Sequence, residues 1–291
     1  MSIYRLFILF MSLGLLNIGV ITSSFSQTVT TEKQDYATVI MYHRFGESRY
    51  PTTNVSLEQF ESHLEFIARG DYTVVPLIEI IETLQSGGVI KDKTLAITVD
   101  DAYLSVYTEA WPRLKKYGFP FTIFVATDPV DNNLRNYMNW DQIRELLENG
   151  VTIGSQTKSH PHMHRLSPIK VEQEITLSNS RFLQEIGQYP QLFAYPYGEY
   201  SLNVIKAVKD AGFIAAFGQN SGVLFASDNM FELPRFAFNE NYGSIERLKL
   251  ALDGKPLRVT DVTPQDMVLN ENPPSYGFTV DKSLMPISQL R

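Results

Sequence analysis

The sequence predicts an α/β fold, a closed or nearly closed (β/α) barrel of parallel strands with helices on the outside. Short apolar runs rich in β-branched and aromatic residues alternate with amphipathic helical patterns over most of the 291 residues. Parallel neighbours need such crossover connections, and about seven strand–helix units suffice for a closed or nearly closed barrel. Polar side chains also follow several strands directly, at the end where such barrels carry their active sites.

The first half of the chain alternates strands and helices. The runs "ATVIMYH", "YTVVP", "TLAITVDD" and "PFTIFVAT" are short, apolar and β-branched, which is typical of buried strands. Between them, "SLEQFESHLEFIARG" has apolar residues at helical spacing, with Ser56 as N-cap and Gly70 at its end. The same spacing predicts helices in "LIEIIETLQSGG" and "VYTEAWPRLKKYG".

The second half continues this alternation up to Gly254. Strands are predicted in "VTIGSQT", "QLFAYPYGE", "FIAAFGQ" and "ELPRFAFNE", and helices in "WDQIRELLENG", "PIKVEQEITLSNSRFLQEIG", "SLNVIKAVKDAG" and "SIERLKLALDG". We therefore predict one domain over residues 37–254. Residues 255–291 are rich in Pro and turn residues, which indicates a short C-terminal extension that covers the domain or begins a small β module.

Composition excludes several classes of protein. With 44% hydrophobic and 20% charged residues the chain is typical of globular proteins. A net charge of −7 leaves no basic stripe to neutralise phosphates, so we expect no nucleic-acid partner. The absence of cysteine excludes disulfides, a lipidated cysteine and a cysteine nucleophile.

Residues 1–26 have the order of a secretory signal peptide. Arg5 precedes an uncharged apolar run over residues 6–22, and Ser24 and Ser26 are the small residues before a cut near Gln27. We predict a secreted or periplasmic protein with no stable membrane insertion after cleavage. An uncleaved anchor is the alternative, because the run is near the lower length limit for spanning a bilayer.

The adjacent acids Asp100 and Asp101 end an apolar strand. Side chains alternate along a strand, so the two carboxylates point different ways and can have different roles. One could bind a divalent metal while the other takes a proton from the attacking water. The alternative is structural, with Asp101 capping the next helix and Asp100 in solvent.

Three of the five histidines lie in "GSQTKSHPHMHRLS", at His160, His162 and His164. Imidazole is a common metal ligand, and a histidine four positions from another ligand can share its ion. The alternative is a surface loop with incidental histidines. His162 has no spacing partner and is the weakest candidate, while His63 is expected to be a half-buried surface residue of the first helix.

The segments "TVDDAY", "GSQTKSHPHM" and "FAYPYGEY", in this order and spacing, resemble the three central motifs of the polysaccharide deacetylase family. These are the NodB-homology, or carbohydrate esterase family 4, proteins. The resemblance covers residues 37–250 and implies a distorted barrel of the NodB-homology type. It also implies Asp100 as general base, with Asp101 and His160 as ligands of a divalent ion, which would be zinc, cobalt or nickel.

The chain departs from the family at residue 156, where the first of two ligand histidines would stand. Gln156 can offer an amide oxygen, but neutral oxygen binds zinc-type metals more weakly than imidazole does. We expect, in order of preference, that Gln156 is the third ligand, that His164 takes its place, or that metal affinity is largely lost.

Two further departures concern Ala194 and the general acid. Ala194 stands where the family often has an arginine that pairs with the catalytic acid, and Arg235 is the candidate replacement; a salt bridge without catalytic role is the alternative. No histidine follows His164, where the family has its usual acid. However, "IMYHRF" together with "YPYG" resembles the poly-β-1,6-N-acetylglucosamine de-N-acetylases, which implies His43 as general acid.

The predicted substrate-binding residues are Tyr197, Pro196 and Arg235. Pro196 and Gly198 would shape a loop that turns the N–H of Tyr197 toward the reacting carbonyl, and a plain turn is the alternative. The expected function is removal of N-acetyl groups from an N-acetylglucosamine-containing polysaccharide. A non-catalytic carbohydrate-binding protein and an O-deacetylase remain alternatives, because one fold hosts several activities.

Overall fold

The computed structural model describes residues 34–226, 228–269 and 271–280. The predicted signal peptide lies outside these residues. Within them, no helix is long and apolar enough to cross a membrane.

The strands and helices follow the predicted alternation. The strands of the described residues are β1 (Tyr36–Tyr42), β2 (Arg44–Phe45), β3 (Asn54–Val55), β4 (Thr73–Val74), β5 (Thr94–Asp100), β6 (Phe121–Val125), β7 (Thr152–Ser155), β8 (Leu192–Ala194), β9 (Ala215–Phe217), β10 (Leu224–Phe225), β11 (Phe236–Ala237), β12 (Val259–Thr263) and β13 (Gly277–Val280). The α-helices are α1 (Leu57–Arg69), α2 (Leu77–Gln85), α3 (Trp111–Tyr117), α4 (Thr127–Asp131), α5 (Trp140–Glu148), α6 (Pro168–Ile186), α7 (Leu202–Asp210) and α8 (Ile245–Leu252).

One nine-stranded sheet forms the body of the domain. Its main order is β10-β1-β5-β6-β7-β8-β9, with β4 also paired to β5 and β11 to β1. All these pairings are parallel except β1 with β10. The predicted α/β barrel class is confirmed, as a mostly parallel, curled sheet that forms a half-barrel with helices.

Both faces of the central strands are buried, which explains their continuous apolar sequence. In β5, Leu95, Ile97 and Val99 pack in one core cluster, while Ala96 packs in a second cluster. Because side chains alternate along a strand, Asp100 points to the same face as Ala96.

Helix α1 begins and ends where the sequence predicts. The Ser56 side chain accepts from the N–H of Gln59, whose own side chain accepts from the N–H of Ser56, and Gly70 ends the helix. Such a capping box satisfies two N–H groups that the helix leaves without partners.

The sequence-based placement of His63 is wrong, because His63 in α1 is fully buried. Its Nε2 lies 2.9 Å from the carbonyl oxygen of Gly243, so that nitrogen must donate, and Nδ1 accepts from the Tyr42 hydroxyl at 2.8 Å. Burial lowers the pKa of His63, more than the Gly243 hydrogen bond raises it. His63 therefore ties the end of β1 to the loop before α8 as a neutral imidazole.

We expect the free energy of unfolding to fall as pH drops below the unfolded-state pKa of about 6.5. The folded protein holds His63 neutral while the unfolded chain takes up a proton, so stability changes by at most about 1.4 kcal/mol per pH unit for this group. Urea unfolding at several pH values would measure the slope. His63→Gln keeps a donor and an acceptor without titrating and should reduce the slope; an unchanged slope would contradict the assignment.

The C-terminal extension contains an antiparallel pair, β12 with β13. It begins beside the domain, where Arg258 forms an ion pair with Asp35. Whether it covers the domain or begins a module stays a prediction.

Candidate active site

Four predicted residues meet at one cavity. The ends of β1, β5, β7 and β8 lie at the same edge of the sheet because these strands run parallel. A cavity of about 590 Å³ opens there and is lined in part by His43, Asp101, His160 and Tyr197. The remaining predicted residues are buried: Asp100, Gln156, Pro196 and Arg235.

Arg235 binds Asp100 with both ends of its guanidinium. Nη1 donates to Oδ1 at 2.6 Å, Nη2 donates to Oδ2 at 2.8 Å, and both side chains are 0% exposed. The Nε donates to the carbonyl oxygen of Gly218 at 3.0 Å, which fixes the plane of the guanidinium. The structure thus pairs Asp100 with Arg235, as expected of a replacement for the arginine absent at Ala194. All three guanidinium nitrogens of Arg235 already donate to Asp100, Thr98 or Gly218, so we revise its assignment to positioning of Asp100.

The side chain of Gln156 is hydrogen-bonded to both Asp100 and Asp101. Its Oε1 accepts from the backbone N–H of Asp101 at 3.3 Å, and its Nε2 donates to Asp100 Oδ2 at a long 3.5 Å. Oδ2 of Asp100 therefore has both lone pairs engaged, while Oδ1 keeps one. The amide oxygen of Gln156 likewise keeps one lone pair.

Asp101 and His160 are spaced like two ligands of one ion. Oδ1 and Nε2 lie 3.4 Å apart, and both side chains are partly exposed to the cavity. Two donors at zinc-type bond lengths of about 2.0–2.1 Å and a tetrahedral angle would be about 3.3 Å apart. Within the described ranges, however, no group of three His, Cys, Asp or Glu side chains could hold a metal ion. The donor set thus fits a divalent ion at two residues, and Gln156 as the third ligand stays a prediction.

His164 does not complete this pair. Its Nδ1 lies 3.3 Å from Glu199 Oε2, and its Nε2 accepts from Arg165 at 3.3 Å. In this structure His164 lies beside Glu199 and Arg165, and its buried Nδ1 makes no hydrogen bond within the described residues.

The backbone at the site is strained. Asp101, Thr157, His160 and Tyr197 have φ between 57° and 72°, and they are half of the eight described non-glycine residues with positive φ. Left-handed backbone costs L-residues roughly 1–2 kcal/mol each and clusters at functional sites. The loop after β7 is held by the Thr157 hydroxyl, which accepts from the N–H of His160 at 3.0 Å. Asp101 does not cap a helix in the ordinary extended conformation, which argues against its structural alternative.

The "YPYG" loop follows β8 and needs its glycine. Gly198 has φ 71°, and a Cβ there would lie 2.6 Å from the backbone nitrogen of Gln219. Only glycine allows this approach without a shift of the chain. Tyr197, one residue earlier, presents a 48% exposed side chain to the cavity.

His162 has the closest polar contact of the three clustered histidines, although the sequence made it the weakest candidate. Its Nδ1 lies 2.6 Å from Glu199 Oε2, and its ring stacks on Tyr197 with centroids 4.1 Å apart. The hydrogen bond from His162 lowers the pKa of Glu199.

Sequence reasoning also missed Tyr137 and Glu199. Tyr137 packs on Tyr103, with ring centroids 4.8 Å apart, and both line the cavity. Tyr137 belongs to no local pattern that signals a site. Glu199 lies within the "FAYPYGEY" motif, which was the one available signal, but sequence reasoning assigned it no role.

Residues 88–216 match the family model described as polysaccharide deacetylase. Over these residues the chain is similar to the polysaccharide deacetylase family. This confirms the resemblance read from the motifs, and the matched range includes Asp100, Asp101, Gln156, His160 and Tyr197. His43 and Arg235 lie outside it.

Curated proteins similar to this chain are named as deacetylases. YxkH of Bacillus subtilis (strain 168), named as a polysaccharide deacetylase, is 26% identical over 210 residues, which are 72% of this chain and 74% of the relative. The poly-beta-1,6-N-acetyl-D-glucosamine N-deacetylase of Staphylococcus aureus (strain MRSA252) is 25% identical over 250 residues, 76% of this chain and 84% of the relative. The Streptococcus pyogenes deacetylase PplD, solved with acetate, shares the fold with a TM-score of 0.70 and 22% identity, over 76% of this chain and 100% of that chain.

Proposed function

We propose that the protein removes N-acetyl groups from a polysaccharide that contains N-acetylglucosamine. The observation that carries the proposal is the Asp101–His160 pair at ligand spacing, with the Asp100–Arg235 pair beside it at the end of β5. The name of the S. aureus relative supports this substrate class. The cavity, about 590 Å³, has the size of a small-ligand site.

Asp101 and His160 would hold a divalent ion of the zinc, cobalt or nickel type, with Gln156 as a neutral third donor. When bound, such an ion polarises a carbonyl and lowers the pKa of water. Its identity and its presence in the native protein belong to the proposal.

The remaining roles follow from position. Asp100 accepts the proton of the attacking water on Oδ1, which keeps a lone pair while Arg235 fixes the carboxylate. His43, at the cavity wall, donates a proton to the departing nitrogen. The N–H of Tyr197 stabilises the developing oxyanion, and the strained loop fixes where that N–H points.

The location of this activity would be the periplasm or cell exterior. This rests on the predicted signal peptide and is tested by fractionating cells that express the full chain. Finding the expressed protein only in the cytoplasmic fraction would contradict this location.

We expect the purified protein to release acetate from β-1,6-linked N-acetylglucosamine oligomers. His43→Gln should reduce kcat on these amides by roughly 10²–10⁴-fold, because an amine leaves only when protonated. It should reduce kcat on acetyl esters much less, since the alkoxide that leaves from an ester needs protonation less than the amine that leaves from an amide. Acetate assays on both substrates measure the two ratios.

Two results would contradict the proposal. Acetate release from esters alone would identify an O-deacetylase. Tight glycan binding without any acetate release, at all metals tested, would identify a carbohydrate-binding protein; Gln156, in place of a stronger ligand, is the observation that favours this second candidate.

A further inference from the structure

Tyr197 lies between two histidines at the cavity. Its ring stacks on His162 with centroids 4.1 Å apart and an interplanar angle of 16°, and it meets His160 edge-on at 4.6 Å. Nearly half of the side chain stays exposed, at 48%. An exposed aromatic face held at a cavity is a surface on which the apolar face of a sugar ring can pack.

Glu199 holds the histidine that supports this ring. Glu199 Oε2 lies 2.6 Å from His162 Nδ1, and the two side chains are each 39% exposed. Glu199 is two residues beyond Tyr197, so one short loop carries both the aromatic ring and the carboxylate that fixes the ring's support.

Such support has a physical reason. Tyr197 has φ 59° and ψ 7°, a left-handed backbone that a bulky residue adopts only when its surroundings determine it. A ring that samples several orientations binds in only some of them, and the apparent affinity falls by the fraction that is competent. A carboxylate–imidazole contact that restricts His162 therefore raises the competent fraction.

We propose that Glu199 and His162 are positioning residues that hold the Tyr197 ring as a platform for the sugar bound at the cavity. The identity of that sugar, an N-acetylglucosamine unit, rests on the proposed function. Neither residue touches the reacting atoms, so their effect is on substrate binding.

The test is isothermal titration with a β-1,6-linked N-acetylglucosamine pentamer, in the His43→Gln background to slow turnover. We expect His162→Ala and Glu199→Ala each to weaken binding about tenfold, equivalent to about 1.4 kcal/mol. His162→Phe keeps a flat ring against Tyr197 but loses the Glu199 contact, so it should weaken binding about as much as Glu199→Ala does. Asp210→Ala, which removes an exposed carboxylate paired with Lys206 on α7, is the matched control and should leave Kd unchanged.

Steady-state kinetics without the His43 change give a second readout. We expect KM to rise about tenfold in His162→Ala and in Glu199→Ala, with kcat within about twofold, and thermal unfolding checks that each variant is folded. Parental Kd in both alanine variants, or no binding of the pentamer by the parent, would overturn the inference. Absence of acetate release from the unmodified chain would instead overturn the proposed function. The ratios of Kd between the alanine variants and their parent would still test whether Glu199 and His162 position the Tyr197 ring.

Discussion

Asp100→Asn is expected to reduce acetate release by at least 10²-fold, because an amide cannot accept the proton of the attacking water. The change is close to isosteric, so the cavity keeps its shape. It nevertheless turns one donor of the new amide toward Arg235 and leaves a buried cation without its counter-charge. Breaking a buried pair in this way destabilises a protein by roughly 3–5 kcal/mol.

The double variant Asp100→Asn/Arg235→Gln separates the loss of activity from the loss of stability. It removes the uncompensated charge, so we expect it to recover much of the lost stability but none of the activity. Denaturant unfolding and an acetate assay on all four members of the cycle measure both quantities. Activity near the wild-type level in Asp100→Asn, with the protein folded, would refute the assignment of Asp100 as base.

Gln156→His is expected to increase the affinity for zinc by on the order of tenfold or more, or about 1.4 kcal/mol. Imidazole is a stronger ligand for such metals than a neutral amide. The new side chain would join Asp101 and His160, which already lie 3.4 Å apart. Competition with a zinc-binding dye gives the affinity, independently of any turnover.

Two controls accompany this measurement. Gln156→Asn stays neutral and should show no gain, and His160→Ala added to Gln156→His should abolish the gain. Equal zinc affinity in the wild type and in Gln156→His would mean that residue 156 does not face the ion. The third-ligand assignment of Gln156 would then fail.

The sequence predicts the architecture well because its main signals are local. Apolar runs, helical spacing and the Ser56 cap all act within a few residues, and the structure forms the corresponding elements. The parallel order then places the end of every central strand at one edge, which is why His43, Asp101 and His160 could be expected at one cavity.

What the sequence could not predict depends on contacts between distant segments. His162 and Glu199 are 37 residues apart, and His63 and Gly243 are 180 apart. No local pattern encodes such pairs, since they exist only once the sheet has curled. The left-handed backbone of Thr157 could not be predicted either, because β-branched residues rarely adopt positive φ.

The buried pair of Asp100 and Arg235 has a consequence for the history of this chain. Two charges wholly removed from water are often replaceable by apolar side chains with a gain of about 1–4 kcal/mol. A descendant that had given up catalysis and kept only the scaffold would be free to make that exchange. Keeping the ion pair inside this half-barrel is therefore expected only where the carboxylate is needed for the proposed reaction, and an apolar pair at these two positions should be the more stable choice.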